Sequence, residues 1–501
     1  MRFLYEINSH VWLREQPWAS PAGGDLADVP DSQIAQWAAM GIDAIWFLGV
    51  WRKGESTRRI CVENSELRVR FEHILPGSVP DSVLGSPFSI ADYSLSPALG
   101  NETTLSRLRE KLHSHGIALV LDFVPNHVAV DHPWVTEHPD RLVSGSRSEV
   151  EHAPGNYFQT PEDSGLILAH GRDPYFAGWT DTAQVNIFHA DTRRALTDIL
   201  LKIGEVCDAV RCDMAMLLTN EVFRRTWGDI SLVDYPDGHP AEFWEEAIPT
   251  VKKRHPGFLF MAEVYWDLER RLQEMGFDLT YDKTLYDHLR GADADAIRHH
   301  LAQTMGYQDR FVHFIENHDE TRAAEAFGRR HTAAGTAVSG LPGVLLCHEG
   351  QFEGRRTFLP IQLGKRPTEL VDKSLRAFYE KLFAVMREPV MSQGEFQLLD
   401  VRPAWHDNPT HRFILTYCRT LGSENRMIVA NISDAQSQAY CCVRVEAIDA
   451  PVVEFHDLLS SERYLRDRTV LLEKGMFFDL APGVSHIFDV RPAPRGAKAD
   501  A

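Results

Sequence analysis

The chain has 501 residues, 44% of them hydrophobic and 25% charged, with a formal net charge of −19. That length exceeds one small core and implies two or three domains, and no apolar run is long enough to span a bilayer. The acidic balance argues against a nucleic-acid or anionic-membrane partner and favours a neutral or cationic ligand. Seven scattered cysteines show no paired metal-ligand spacing, and reduced thiols in the cytoplasm fit them best. The first eight residues meet a charge before any signal-type apolar stretch forms, so a cytoplasmic protein is expected.

In chain order, residues 3–7 supply the earliest apolar strand. The spacing of Ile34, Trp37 and Ala38 predicts a helix over 32–40, capped by Asp31 or Ser32 and stopped by Gly41. It feeds a buried strand over 42–50. The unit repeats: a helix over 105–113, with Leu105, Leu108 and Leu112 on one face, ends at Gly116 and feeds a strand over 117–123. A third helix, over 192–206 with Leu196, Ile199, Leu200 and Ile203 inward, feeds the strand that opens at Cys207. Further strands are expected over 258–263, 277–281, 310–315 and 343–347. Eight apolar strands separated mostly by helices are the alternation of a parallel sheet closed into a (β/α)8 TIM barrel. An open doubly wound sheet is the alternative, although no glycine-rich phosphate loop follows the early strands.

Two stretches break this rhythm. Residues 128–185, rich in Pro, Gly, His and Asp, are too long for an ordinary connection and read as an inserted lobe over the barrel mouth. After 391, short strands at 396–399, 412–417, 427–431 and 452–455 suggest an antiparallel β-sandwich. The expected organisation is a catalytic barrel over 1–127 and 186–390, the lobe over 128–185, the sandwich over 391–490, and a disordered tail over 491–501.

Four strands finish in polar clusters: Asp122-Phe123-Val124-Pro125-Asn126-His127, Arg211-Cys212-Asp213, Met261-Ala262-Glu263-Val264-Tyr265-Trp266 and Glu316-Asn317-His318-Asp319-Glu320. Alternation along a strand puts Arg211 and Asp213 on one face, the guanidinium placed to keep the carboxylate ionised. Cleaving an acetal needs a proton on the leaving oxygen and a negative charge beside an oxocarbenium-like carbon, and two carboxylates in different environments supply both. Glu263, among Met261, Tyr265 and Trp266, is the one that desolvation would keep protonated.

Together these clusters resemble the α-amylase family, glycoside hydrolase family 13, over most of the chain. The resemblance implies a (β/α)8 barrel with a lobe inserted after the third strand and a C-terminal β-sandwich. It implies that Asp213 is the nucleophile, Glu263 the general acid/base and Asp319 the transition-state stabiliser. Arg211, His127, His318, Phe88 and Asp122 would be substrate-binding, with Asn126 a supporting residue. A retaining α-glycoside hydrolase acting on small α-glucosides or maltooligosaccharides follows, with the Asp213 and Glu263 carboxyls about 5–5.5 Å apart. Transfer or phosphorolysis by a relative of the same family is the alternative. A non-catalytic carbohydrate-binding relative and a barrel metallohydrolase using His127, His318 and the aspartates are readings of other classes.

The sequence also departs from the family pattern. Phe88 stands where a stacking tyrosine is usual, and Met214-Ala215-Met216-Leu217 follows the nucleophile, giving either an apolar acceptor side or core filler. Cys347-His348-Glu349-Gly350 lacks the usual aromatic. Residues 131–139 are similar to stretches in maltosyltransferases and sucrose phosphorylases, a hint of transfer chemistry or a shared packing turn. Arg355 and Arg356 are either phosphate ligands or partners of surface acids. No cofactor is expected to be required. Calcium is possible, with Asn126, Asp181, Asn186 and Asp191 as oxygen donors.

Overall fold

Eight short strands close into a parallel barrel in the computed structural model, which describes residues 1–20, 23–77, 79–160, 165–228 and 240–500. They are β1 Phe3–Asn8, β2 Ala44–Leu48, β3 Ala118–Phe123, β4 Ala209–Cys212, β5 Leu259–Ala262, β6 Leu279–Tyr281, β7 Phe311–His313 and β8 Val344–His348. Each pairs with its sequence neighbours, and β8 returns to β1. The closed ring answers the choice against an open sheet. Near-continuous apolar runs are what a sheet buried on both faces requires, and every residue of β2 is buried.

The register sets polar residues level with one another at the C-terminal mouth. Glu6 lies beside Trp46 and His348, and Arg211 beside Asp122 and Met261. The helices fall where periodicity puts them, at Asp31–Met40, Thr104–Ser114 and Ala190–Val206. Gly41, at φ 88°, supplies the left-handed stop. The expected side-chain cap does not form. Pro30 holds the N-cap position, and Asp31 sits in the first turn, where its charge meets the positive end of the helix.

Between β2 and β3 the chain inserts two helices, Glu55–Glu63 and Ser65–Ile74. They are joined at Asn64, whose Oδ1 accepts from the Glu66 and Leu67 amides. The pair carries a small core of its own, Cys61, Phe71, Val79, Val83 and Leu363. Beyond β3, the strand His127–Ala129 pairs with Thr182–Gln184, and Tyr157–Gln159 with Ile167–Ala169. Residues 161–164 of the expected lobe and 501 of the expected tail lie outside the described residues.

The C-terminal region forms two antiparallel sheets, of six and three strands, over a shared core that includes Val429, Phe455, Phe478 and Phe488. The larger sheet docks on the barrel through Tyr417, whose hydroxyl donates to the Ala337 carbonyl and accepts from the Gly340 amide. A Cβ at Gly340 would stand 2.6 Å from that hydroxyl, so the close approach needs glycine. The expected disordered tail begins inside a strand, Ser485–Pro492, because residues 490–492 pair with 453–455. Asp500 accepts from the Leu465 amide and pairs with Arg466.

Candidate active site

A cavity of about 550 Å³ opens at the C-terminal ends of the barrel strands. Asp213, Glu263 and Asp319 all line it, with Phe88, His127, Met214, Trp179 and Tyr265. The two inserted helices contribute Ile60, Cys61, Asn64 and Leu67 and close one side.

Arg211 organises the charge. It is fully buried, with Nη1 2.6 Å from Asp213 Oδ1 and Nη2 2.7 Å from Glu263 Oε2. One planar fork therefore holds two carboxylates that reach the mouth on neighbouring strands. The Trp46 and Phe88 rings lie 5.3 and 5.2 Å from its Cζ, so the cation has aromatic neighbours as well as carboxylates. Only the pairing with Asp213 was foreseen from the sequence.

Burial raises the Asp213 carboxyl above the usual range, against the pull of Arg211, so the simple expectation of a lowered value does not hold. Burial raises Glu263 too, again opposed by Arg211. The two differ in how their oxygens are engaged. Glu263 Oε2 accepts from Arg211 and from the Met214 amide at 2.7 Å, both obligate donors. Its Oε1 meets only the Tyr265 hydroxyl, at 2.6 Å, a group that can accept as well as donate. A proton on Glu263 therefore resides on Oε1. Asp213 is held through Oδ1 by Arg211, and among the described residues no donor reaches its Oδ2.

Asp319 is charged by a different route. Desolvation at the barrel mouth works against its ionisation, although the side chain is exposed, and the His318 imidazole, with Nε2 3.0 Å from Oδ2, holds the carboxyl below the usual range. The other ring nitrogen of His318 is bonded to Glu6. Burial disfavours charge on that ring, yet Asp319 and Glu6 push it up to about 10. Stability from this imidazolium is complete below the ordinary histidine value and is lost as pH rises through about 10. His318→Gln is accordingly expected to lower the thermal midpoint most at pH 7 and below, with the gap to wild type narrowing toward pH 10. An equal gap at pH 7 and pH 10 would contradict the ion-pair arrangement.

The remaining expected residues divide. Phe88 presents its ring to the cavity and to Arg211, and His127 lines the cavity as a neutral ring, burial pushing it down to about 4. Asp122 does not reach the cavity. Its two oxygens accept from Trp46 Nε1 at 3.0 Å and the Gly49 amide at 2.7 Å, so it braces the mouth from behind. Asn126 bonds Gln184. Met214 lines the cavity, whereas Met216 and Leu217 are core. Arg356 pairs with Glu325 at the surface, and Arg355 approaches Glu15. Trp134, from the 131–139 stretch, is buried beneath Arg141.

Glu6, Tyr265's hydroxyl bond and the helix pair at 55–74 were not anticipated. A charge inside the apolar run Phe3-Leu4-Tyr5-Glu6-Ile7 was the available signal, because a buried carboxylate requires a partner. The oxygen donors considered for calcium do not form a ligand set. Asp181 is bonded to Thr57, Asp191 pairs with Arg141 and Arg194, and Asn186 Oδ1 accepts from the Phe188 amide. Among the described residues no group of three or more His, Cys, Asp or Glu is arranged to hold a metal ion. No helix among them is long and apolar enough to cross a membrane.

Known proteins resemble this chain in sequence and in fold. The family model of the alpha amylase catalytic domain matches residues 18–366. The alpha-amylase MalA of Haloarcula japonica is 27% identical over 365 residues, which are 69% of this chain and 47% of that protein. An alpha-1,4-glucan:maltose-1-phosphate maltosyltransferase of Cereibacter sphaeroides is 27% identical over 280 residues, 52% of this chain and 38% of that protein. The chain thus spans less than half the length of these relatives. Among solved structures, an alpha-amylase from Lactobacillus plantarum superimposes with a TM-score of 0.67 at 18% identity, over 97% of this chain and 98% of that one. The match extends the shared fold through the C-terminal sheets.

Proposed function

The chain belongs to the alpha-amylase family, and on that premise we propose that it is a retaining glycosidase acting on small α-glucosides. The observation that carries this reading is the single guanidinium between Asp213 and Glu263 in one cavity with Asp319. Asp213 Oδ2 attacks the anomeric carbon while Glu263 Oε1 gives its proton to the leaving oxygen. Asp319, kept anionic by His318, stabilises the oxocarbenium-like transition state. The glycosyl ester on Asp213 is then released when Glu263, now a base, takes a proton from water. The helix pair supports a short substrate, because it walls a cavity of about 550 Å³ where a polymer would need a through-going groove.

Two tests bear on the assignment. Glu263→Gln is expected to slow turnover of maltose by about 10²–10⁴-fold, the range for a general acid, while a substrate with an excellent leaving group suffers less. Equal losses on both substrates would contradict the acid role. Because burial raises Glu263, the falling limb of kcat/KM with pH should lie above the ordinary carboxylate range. That limb should vanish in Glu263→Gln. A protein that binds maltooligosaccharides yet turns over none of them would instead be the non-catalytic relative.

A second reading, glycosyl transfer, is favoured by one observation. Met214 and Tyr265 line the cavity beside the proton donor, and the Met214 amide and the Tyr265 hydroxyl are both taken up by Glu263. An acceptor that fits this wall would compete with water for the glycosyl group.

A further inference from the structure

His318 also lines a second, smaller cavity of about 20 Å³, above the roughly 10–15 Å³ that a single water requires. This chamber shares no lining residue with the catalytic cavity. Its other walls include Arg322, from the loop after β7, and Arg355, Thr357 and Arg366, from the connection after β8. Three guanidinium groups therefore meet at one small space, in a chain whose net charge is −19.

Each guanidinium has a buried nitrogen with no hydrogen-bond partner among the described residues: Nε of Arg322, Nε of Arg355 and Nη2 of Arg366. Arg322 is 4% exposed and the Arg366 side chain 7%, so bulk water does little to satisfy them. Arg322 and Arg355 also converge. A Cβ built on Gly350, at φ 92°, would stand 2.5 Å from Arg322 Nη2 and 3.0 Å from Arg355 Nε. Two cations this close repel unless a negative group bridges them.

The carboxylates do not fill that role. Arg322 Nη2 lies 3.1 Å from Glu316 and Arg366 Nε 2.9 Å from Glu15, and neither acid lines the chamber. Arg355 is the least committed, with Nη2 3.9 Å from Glu15. Two acids do line the chamber, and both are engaged. Glu349 pairs with Arg366 Nη1 at 2.6 Å, and Glu369 accepts from the Arg356 and Thr357 amides at 2.8 and 3.3 Å. His348, also on the lining, is neutral, because burial and the Arg322 charge push it down to about 3. Its Nδ1 accepts from Arg322 at 2.5 Å, which leaves its proton on Nε2 as a further donor.

We propose that this chamber is a phosphate site, filled either by inorganic phosphate or by the phosphoryl group of a sugar phosphate. Guanidinium forks match phosphate oxygens, and parallel eight-stranded barrels frequently bind phosphate in the loops after strands 7 and 8. An anion there would join Glu6 and Asp319 in favouring the charged form of His318. The inference does not depend on the glycosidase reading, because occupancy is measured without turnover.

The test titrates the full chain with sodium phosphate in a calorimeter at about pH 7, against sodium chloride of equal ionic strength. One saturable site is expected for phosphate and none for chloride. Arg355→Gln should weaken it by about ten- to a hundredfold, the loss of one charged hydrogen bond. Arg356→Gln, which removes a guanidinium paired with Glu325 at the surface, should leave it unchanged. If Arg355→Gln does not fold, Arg355→Lys keeps the charge without the fork and should still weaken binding severalfold. Glucose 6-phosphate separates the two sources. Binding about tenfold tighter than inorganic phosphate, and lost with Arg355, assigns the chamber to a sugar phosphate, whereas equal or weaker binding assigns it to the free ion. Heats that match those of chloride, or phosphate binding untouched by either Arg355 variant, overturn the inference.

Discussion

Asp213→Ala is expected to lower turnover of α-glucosyl fluoride by on the order of 10⁴–10⁶-fold, the scale on which removing a covalent nucleophile acts. The protein should remain folded, because Arg211 keeps Glu263 as its partner when Asp213 is gone. Added azide should restore part of the rate by entering the space the carboxylate leaves. It would approach from the face Asp213 occupied and yield the β-glucosyl azide from an α-linked donor. The same rescue in Glu263→Ala proceeds through the ester on Asp213 and should yield the α-azide. Product anomers from the two variants, read by NMR, assign the two roles independently of any rate. Identical anomers from both would refute a nucleophile and an acid/base on opposite faces of the sugar.

The second large effect is on stability. Arg211→Met removes the one cation that, among the described residues, is bonded to the almost wholly buried Asp213 and Glu263. Breaking a buried pair from one side costs about 3–5 kcal/mol, because the remaining charge keeps its desolvation penalty without compensation. The pH dependence has a definite sign. Without the guanidinium, Asp213 and Glu263 rise still further above their unfolded values, so the variant's deficit is smallest in acid, where both are neutral in either state. It grows as pH rises through the wild type's raised folded values toward the variant's still higher ones. Urea midpoints at pH 4.5 and pH 8 measure this directly. A deficit equal at both values would show that Arg211 contributes by packing and not by charge.

Much of this arrangement was readable along the chain. Apolar runs ending in Asp122, Arg211, Glu263 and Asp319 placed the strands and their mouth, since local alternation fixes which residues finish a strand. What escaped the sequence is long-range. Arg211 meets Glu263 across 52 residues. Nothing in either segment states that one guanidinium serves both carboxylates. Asp122 looked like a site residue because it ends a strand, but the indole of Trp46 on the neighbouring strand claims it from behind. The helix pair at 55–74 is strongly charged, so its apolar contacts, such as Phe71, are too sparse to announce a packed unit. Phe88 was located by its place in a motif, whereas its contact with Arg211 depends on barrel closure.

The bond between Glu6 and His318 joins residues 312 apart in sequence. Glu6 lies on the first strand of the barrel, and β1 waits for β8 before its second edge is paired. The group that charges His318 is thus in place early, but the charge it supports arises only at ring closure. During synthesis the chain carries this carboxylate on an apolar strand, without His318, through nearly the whole barrel, and the completed site should emerge as a late, all-or-none event.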